Sequence, residues 1–386
     1  MADLRVAIAY DCLFPVNTGG GERVYRRLAE LLAARGGAVD YVTRGQWSGL
    51  APASAFQIVP VWTGDIYDAT GSRTTGSALA FAVALFRHFR ARRGEHDLVV
   101  VSALPVLNVF AVSLALLGTK TFIVTDWLEV WGWRTWRAYS GAAVGTVAFV
   151  LQYLAIRIGD LHTVNSDFTA DRVRRFRRSA RPVTLGLVDL VGTETEATTA
   201  RSGDPYVIFV GRHIADKRLV DLLPALVVAR RTLPQLHAVL VGSGPETDAV
   251  TARVSEVGLG ETVSLPGRVS DERLRSLLGG AAVLVNPSQR EGFGLVVAEA
   301  AAFATPSVVV AGPDNASAEL VIDGVNGYVA ASIAAETLGA AIVRAVSDGE
   351  ELRARTRDWF ARERVSSGLE SSLNVILERY RSARAR

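Results

Sequence analysis

The chain has 386 residues, enough for two domains of ordinary size, and its 42 basic against 39 acidic residues leave a net charge of only +3. That balance gives little electrostatic reason to expect nucleic-acid binding. One cysteine, Cys12, excludes an internal disulfide framework and any cysteine-rich zinc site, and the five histidines (His88, His96, His162, His213 and His237) fall in no metal-binding spacing, so no metal or cofactor is expected.

The N-terminus, MADLRVAIAYD, lacks the basic start and long apolar core of a signal peptide and reads as a first strand. Helical and strand-like runs then alternate: ERVYRRLAELLAARG, AVDYVTRG, DLVVVSA, a helix through Leu117, TKTFIVTD, and LHTVNS followed by DFTADRVRRF. Continuous apolar strands separated by amphipathic helices predict a parallel sheet covered on both faces. Two apolar stretches need weighing as membrane spans. The one at 98–118 is broken by Pro105 and Asn108, and the one at 141–156 has about 16 residues, short of the ~20 that a spanning helix needs. A cytoplasmic protein is expected. The basic clusters RHFRARR (87–93) and RVRRFRRSAR (172–181) read either as solvated helix faces or as attraction to an anionic membrane or a phosphorylated acceptor, which would place the protein peripherally on the inner face of a membrane.

The stretch VGTETEATTARSGDP breaks the pattern with no periodicity and reads as a linker. Alternation restarts with PYVIFVGR, DLLPALVVARRTLP, HAVLVGSG, TVSLPG, DERLRSLLGGA, AVLVNPS, a buried helix, PSVVVAG and GYVAA. The expected organisation is an N-terminal domain over 1–190, a linker over 191–204, a second doubly wound domain over 205–368, and a helix over 369–386 that packs back on the first domain. Two Rossmann-like α/β domains facing each other leave a cleft at the carboxyl ends of their strands, where such sheets bind ligands.

NPSQREGFGLVVAE (286–299) carries the most chemical information, because it sets Glu291 and Glu299 eight positions apart around a glycine-bracketed turn. A helix beginning near Phe293 places Glu291 just before its first turn and Glu299 almost two turns in, roughly 10 Å further along the axis. The amides of Phe293, Gly294 and Leu295 then form a positive helix end suited to phosphate. An unpaired carboxylate inside LVVAEAAAFA is costly to bury, which points Glu299 at a cavity or polar ligand. The pair by itself also fits a solvated loop glutamate and a satisfied core glutamate. Arg212 and Lys217, in VGRHIADKRLVDLL, straddle a turn after the domain's first strand and could neutralise a diphosphate, or pair with Asp216 or Asp221. Gly19, Gly20 and Gly21 precede a helix and allow close backbone approach to a phosphate or sugar, as does a simple tight turn. Neither this loop nor VGSGPE (241–246) completes a dinucleotide fingerprint, since Val24 and Thr247 hold the last positions, and a nicotinamide-linked dehydrogenase is disfavoured.

With these motifs in order, the second half resembles the family-4 retaining glycosyltransferases of the GT-B fold. GRHIADKR is similar to their basic phosphate loop, VGSGPE to their glycine loop, EGFGLVVAE to their E-x7-E element, and PDNASAELVIDGVNGYV (313–329) to the segment after it. The likeness runs from about 205 to 330 and is looser in the first half. The resemblance implies metal-independent, retaining transfer of a sugar from a nucleoside diphosphate to a hydroxyl acceptor. It places Glu291 at the donor sugar, Glu299 at the ribose, Arg212 and Lys217 at the diphosphate, and the backbone near Arg268 at the base. Gly20, Gly21, Gly242, Gly244, Phe293, Gly294 and Leu295 complete the expected donor site. Where many relatives read His-Glu-Val-Trp, this chain has Leu128-Glu129-Val130-Trp131, which predicts a more apolar pocket. Asp126, Trp127, Leu128, Glu129 and Trp131 are the acceptor-side candidates, with core packing as the other reading of the tryptophans. A sugar-nucleotide epimerase and a non-catalytic sugar-nucleotide-binding protein remain as alternatives.

Overall fold

A computed structural model describes residues 4–17, 19–66, 74–190 and 203–385. The chain forms two compact units, Met1–Leu190 together with Gly368–Arg386, and Val191–Ser367. Apart from Gly203 and Asp204, the expected linker lies outside the described residues.

The first unit runs β1 (Arg5–Ala9), α1 (Gly20–Ala34), β2 (Ala38–Arg44), β3 (Gln57–Trp62), α2 (Thr75–Ala91), β4 (Leu98–Ser102), α3 (Leu107–Ala115), β5 (Phe122–Trp127), α4 (Trp133–Ser140), α5 (Ala142–Ala155), β6 (Leu161–Val164), α6 (Asp167–Phe176) and β7 (Val183–Thr184). All seven strands are parallel, in the order β3-β2-β1-β4-β5-β6-β7. Val6 to Ala9 and Leu98 to Val101 are buried, as an apolar strand covered on both faces must be. The stretch read at 98–118 is strand β4 followed by helix α3, and no helix among the described residues is long and apolar enough to cross a membrane.

The second unit runs β8 (Tyr206–Val210), α7 (Leu219–Thr232), β9 (His237–Val241), α8 (Thr247–Glu256), β10 (Val263–Gly267), α9 (Asp271–Gly280), β11 (Val283–Asn286), β12 (Arg290–Glu291), α10 (Leu295–Ala302), β13 (Ser307–Val310), β14 (Asp314–Asn315), β15 (Gly327–Ala330), α11 (Ala335–Ser347) and α12 (Gly349–Ser366). Its six-stranded parallel sheet has the order β10-β9-β8-β11-β13-β15, and β12 pairs with β14 beside it. Strand order reverses between β8 and β11, so the chain leaves their carboxyl ends in opposite directions and opens a crevice there.

The last helix, α13 (Leu369–Arg384), belongs to the first unit. Leu369, Leu373, Ile376 and Leu377 form its buried stripe at helical spacing. Asp189 accepts from the Leu369 amide at 3.0 Å, placing an anion at the helix's positive end, and the Gly186 amide donates to Ser372 Oγ at 2.8 Å.

Arg353, on α12, is 4% exposed, and its guanidinium does the work of two helix caps. It donates to the carbonyls of Gly279 (2.5 Å) and Ala281 (3.1 Å) at the end of α9, to that of Phe303 (3.0 Å) at the end of α10, and to Thr305 Oγ1 (3.1 Å). A cation at two helix C-termini meets carbonyls that have no intrahelical partner. Arg353→Met keeps the stem and leaves those acceptors buried without donors, so a loss of about 3 kcal/mol of unfolding free energy is expected by urea denaturation. A change below about 0.5 kcal/mol contradicts the capping role.

Candidate active site

The crevice of the second unit is built from the segments that leave β8 and β11. After β8 the chain passes Gly211, Arg212 and His213 and makes a short turn at Ala215–Lys217. Arg218 follows in the left-handed region at φ 49° and sends its guanidinium to the carbonyls of Pro287 (2.9 Å) and Ser288 (3.2 Å), fastening the segment after β11. The Gln289 amide donates to the Asp216 carbonyl at 2.8 Å, and Arg290 pairs with Asp216.

Glu291 lies where these segments meet. Its carboxylate accepts from Lys217 Nζ and, at 3.3 Å, from Asn286 Nδ2, while Ser288 Oγ lies 2.9 Å away. The Ser288 hydroxyl is also 2.5 Å from Asn286 Oδ1, so its one proton serves either Asn286 or Glu291. Asn315 extends the network, donating to the carbonyls of Ser288 (3.0 Å) and Val310 (2.9 Å) and accepting from Ser317 Oγ at 2.6 Å. Asn286, Ser288, Asn315 and Ser317 are not among the residues that the sequence motifs mark as site candidates. Polar residues directly after an apolar strand were the available signal for the first two.

The helix expected from Phe293 starts two residues later, at Leu295, because Gly294 sits at φ 94° as its N-cap. A Cβ on Gly294 would lie 2.5 Å from Ser317 Cβ, so this cap accepts no side chain. The Val297 amide is already bonded to the Gly294 carbonyl at 2.8 Å. The amides of Phe293, Gly294, Leu295 and Val296 have no partner among the described residues, and those of Leu295 and Val296 lie on the helix's first turn. Glu299 is little more than one turn in, half-buried, on the face it shares with Leu295 and Val296.

Arg212 is exposed and has no side-chain partner among the described residues. Gly242 and Gly244 have a structural reason for their identity. A Cβ on Gly242, at φ 127°, would sit 1.9 Å from the Gly211 carbonyl oxygen, and one on Gly244 would sit 2.3 Å from that of His213. The loops after β8 and β9 thus touch backbone to backbone, joined by His213 N to Ser243 O at 3.1 Å and Glu246 N to His213 O at 3.0 Å. Arg268 is exposed beside this junction, where Gly267 accepts from the Gly242 amide at 2.8 Å.

Gly20 and Gly21 belong to the first unit, on the first turn of α1. The buried Glu22 already places a carboxylate against Gly19 there, and a Cβ on Gly21 would lie 2.9 Å from Leu128 Cδ1. Leu128 is half-buried over this turn, its carbonyl held by Asn165 Nδ2 at 2.7 Å. Two acceptor-side candidates are core residues instead. Trp127 is 1% exposed and donates to His162 Nδ1 at 3.1 Å, and Asp126 is 1% exposed and accepts from Tyr25 and Thr163 hydroxyls, both at 2.5 Å. Their place on the last residues of a central strand explains this: the strand ends one residue later than a loop reading assumes. Glu129 and Trp131 are half-buried and bonded to each other through the indole nitrogen, and Trp131 packs on Trp136 at 4.6 Å.

Comparison with known proteins accords with this geometry. Residues 192–358 match the family described as glycosyl transferases group 1. Over 230 residues the chain is 28% identical to a glycogen synthase of Mycobacterium tuberculosis (strain CDC 1551 / Oshkosh), covering 59% of this chain and 55% of that one. It is 27% identical over 239 residues to an alpha-D-kanosaminyltransferase of Streptomyces kanamyceticus, covering 60% and 58%. The chain thus spans little more than half the length of these curated relatives. A sucrose-phosphate synthase structure from Thermosynechococcus elongatus superposes with a TM-score of 0.80 at 20% identity, covering 99% of both chains. The two parallel sheets and this superposition give the chain the GT-B fold, and residues 192–358 resemble the group 1 glycosyl transferases.

Burial raises the Asp126 pKa to about 6, against the two hydrogen bonds that lower it. An acid whose folded pKa exceeds its unfolded value of ~3.9 binds more protons when folded across that window. Its stabilising contribution is therefore complete below about pH 4 and lost as pH rises through about 6. His162, with its pKa lowered to about 4 by burial, titrates over the same range with the opposite sign, but does so in wild type and variant alike. Asp126→Asn, which cannot ionise, is expected to gain on wild type by roughly 2 kcal/mol between pH 4 and pH 7 in urea unfolding. An equal difference at both pH values contradicts the assignment.

Proposed function

We propose that this protein transfers a sugar from a nucleoside diphosphate to a hydroxyl acceptor with retention of configuration and without a metal. The observation that carries the reading is the Glu291 carboxylate, held by Lys217 and Asn286 beside the unpartnered amides of Leu295 and Val296 in the crevice between β8 and β11. A carboxylate fixed by donors on one side presents its remaining lone pairs to sugar hydroxyls. A helix N-terminus with a cation nearby favours a diphosphate. The match of 192–358 to group 1 glycosyltransferases supports the same class.

In the proposed reaction the bond between the anomeric carbon and the diphosphate oxygen breaks while the acceptor oxygen bonds to the same face of that carbon. The departing diphosphate takes the acceptor's proton, so no carboxylate nucleophile is required. Negative charge grows on the leaving group, and Lys217, Arg212 and the amides of Leu295 and Val296 stabilise it. Glu291 holds the donor sugar, and Glu299 holds the ribose. With Asp126 and Trp127 in the core, Leu128, Glu129 and Trp131 are the residues left to contact an acceptor.

A thermal-shift screen of nucleoside-diphosphate sugars identifies the donor, because a ligand bound only by the folded state raises its stability. With that donor, Lys217→Ala is expected to lower turnover by about 100-fold or more, as loss of a leaving-group donor does. Glu291→Gln is expected to weaken donor binding and to couple non-additively with Lys217→Ala. Wild-type turnover in either single variant rules these roles out.

A further inference from the structure

Helices α4 and α5 form a hairpin built inside out. On α5 the buried positions are Gly145, Gln152 and Ala155, while Val144, Val147, Val150 and Leu154, at helical spacing, are between 45% and 58% exposed. The polar Gln152 is spent inward: it accepts from the Trp131 amide (2.9 Å) and the Trp136 indole (3.1 Å) and donates to the Trp131 carbonyl (2.7 Å). A Cβ on Gly145 would lie 2.4 Å from the Trp136 carbonyl oxygen, so the two helices lock closely and the apolar stripe faces out by construction. Trp133 and Tyr139 on α4 and Tyr153 on α5 are also 40–52% exposed. A contiguous apolar surface of this kind marks an interaction site.

Charge identifies what covers it. Between Trp131 and Gly159 there is no acidic residue, and the three charged ones are Arg134, Arg137 and Arg157. Arg137 lies over the Trp133 ring at 5.2 Å and Arg157 over Tyr153 at 3.6 Å, so cations rim the stripe beside aromatic rings. Phe176 packs on Phe149 (5.7 Å) and Tyr153 (6.2 Å), bringing the basic end of α6 alongside. There Arg175 and Arg178 are exposed, whereas Arg174 is paired with Asp171. Apolar side chains framed by Trp, Tyr and Arg, with no carboxylate on the hairpin itself, match the interface of an anionic bilayer. At ~1.5 Å per residue the 14 residues of α5 are too short to cross it.

We infer that this hairpin docks the protein onto an anionic lipid surface, the α5 valines entering the headgroup boundary and the arginines of α4, Arg157 after α5, and Arg175 and Arg178 at the end of α6 meeting lipid phosphates. The inference does not depend on the donor reading. It is tested by flotation of the full chain with vesicles of phosphatidylcholine alone or mixed with phosphatidylglycerol. Wild type is expected to float with the mixed vesicles and to be released by high salt. Val147→Asp with Val150→Asp is expected to lower partitioning at least about tenfold with an unchanged circular-dichroism melt, since both positions are exposed. Arg175→Glu with Arg178→Glu is expected to abolish the preference for phosphatidylglycerol. The proposal is overturned if wild type floats with neither vesicle, or if the aspartate pair binds as wild type does. It is equally overturned if ultracentrifugation shows a dimer that the aspartate pair dissolves while no vesicle binds, which would assign the face to a second copy.

Discussion

Lys217 and Glu291 come from segments that leave two neighbouring strands in opposite directions, and their ion pair is the constraint on which the second unit's site depends. Neither side chain is on a regular helix or a long strand. Each is fixed because something else fixes its loop: Arg218 and Asp216 grip the segment from Pro287 to Arg290, and Asn286 and Ser288 flank the carboxylate from the strand end. A partly buried carboxylate so surrounded loses little entropy when it meets a ligand, which is how preorganisation raises affinity. The pair also sets a condition on binding. A diphosphate that approaches Lys217 competes with Glu291 for it, and the ammonium's three donors allow both to be served.

Backbone packing gives this site its rigidity. Gly242 and Gly244 let two loops touch through main chain alone, and Gly294 lets α10 begin against Ser317. At the other end of α10, Arg353 takes up the Phe303 carbonyl together with those of α9. The helix whose first amides face the crevice is thereby held at both ends, by the absence of a side chain at one and by a buried cation at the other.

Much of this was legible in the sequence. Apolar strand runs alternating with amphipathic helices marked out two parallel sheets, and the order of GRHIADKR, VGSGPE and EGFGLVVAE put the candidate residues at strand ends. The start of α10 was misplaced by two residues, because the reading did not anticipate that Gly294 would take a left-handed conformation. Asp126 and Trp127 stand among the acceptor-side candidates, with core packing as the other reading of the tryptophan, because a sequence does not say on which residue a strand stops; both are core. Arg353 was invisible for a different reason. It acts on carbonyls some fifty to seventy positions away, and no local pattern announces a partner at that distance.

The first unit presents a different chemistry, with Glu22 at the first turn of α1, an apolar Leu128 above it and the arginine-rimmed α4–α5 hairpin elsewhere on its surface. In the proposed function a diphosphate would be met by the second unit, at Lys217 and the amides at the start of α10, those of Leu295 and Val296 among them. Hydrogen exchange of the full chain, followed by mass spectrometry over peptides containing Leu295 and Val296 with and without a saturating nucleoside diphosphate, tests this directly. Slower exchange at those amides and around Lys217 is the outcome expected. Unchanged exchange there, with the nucleotide demonstrably bound and protecting another segment, would contradict the account.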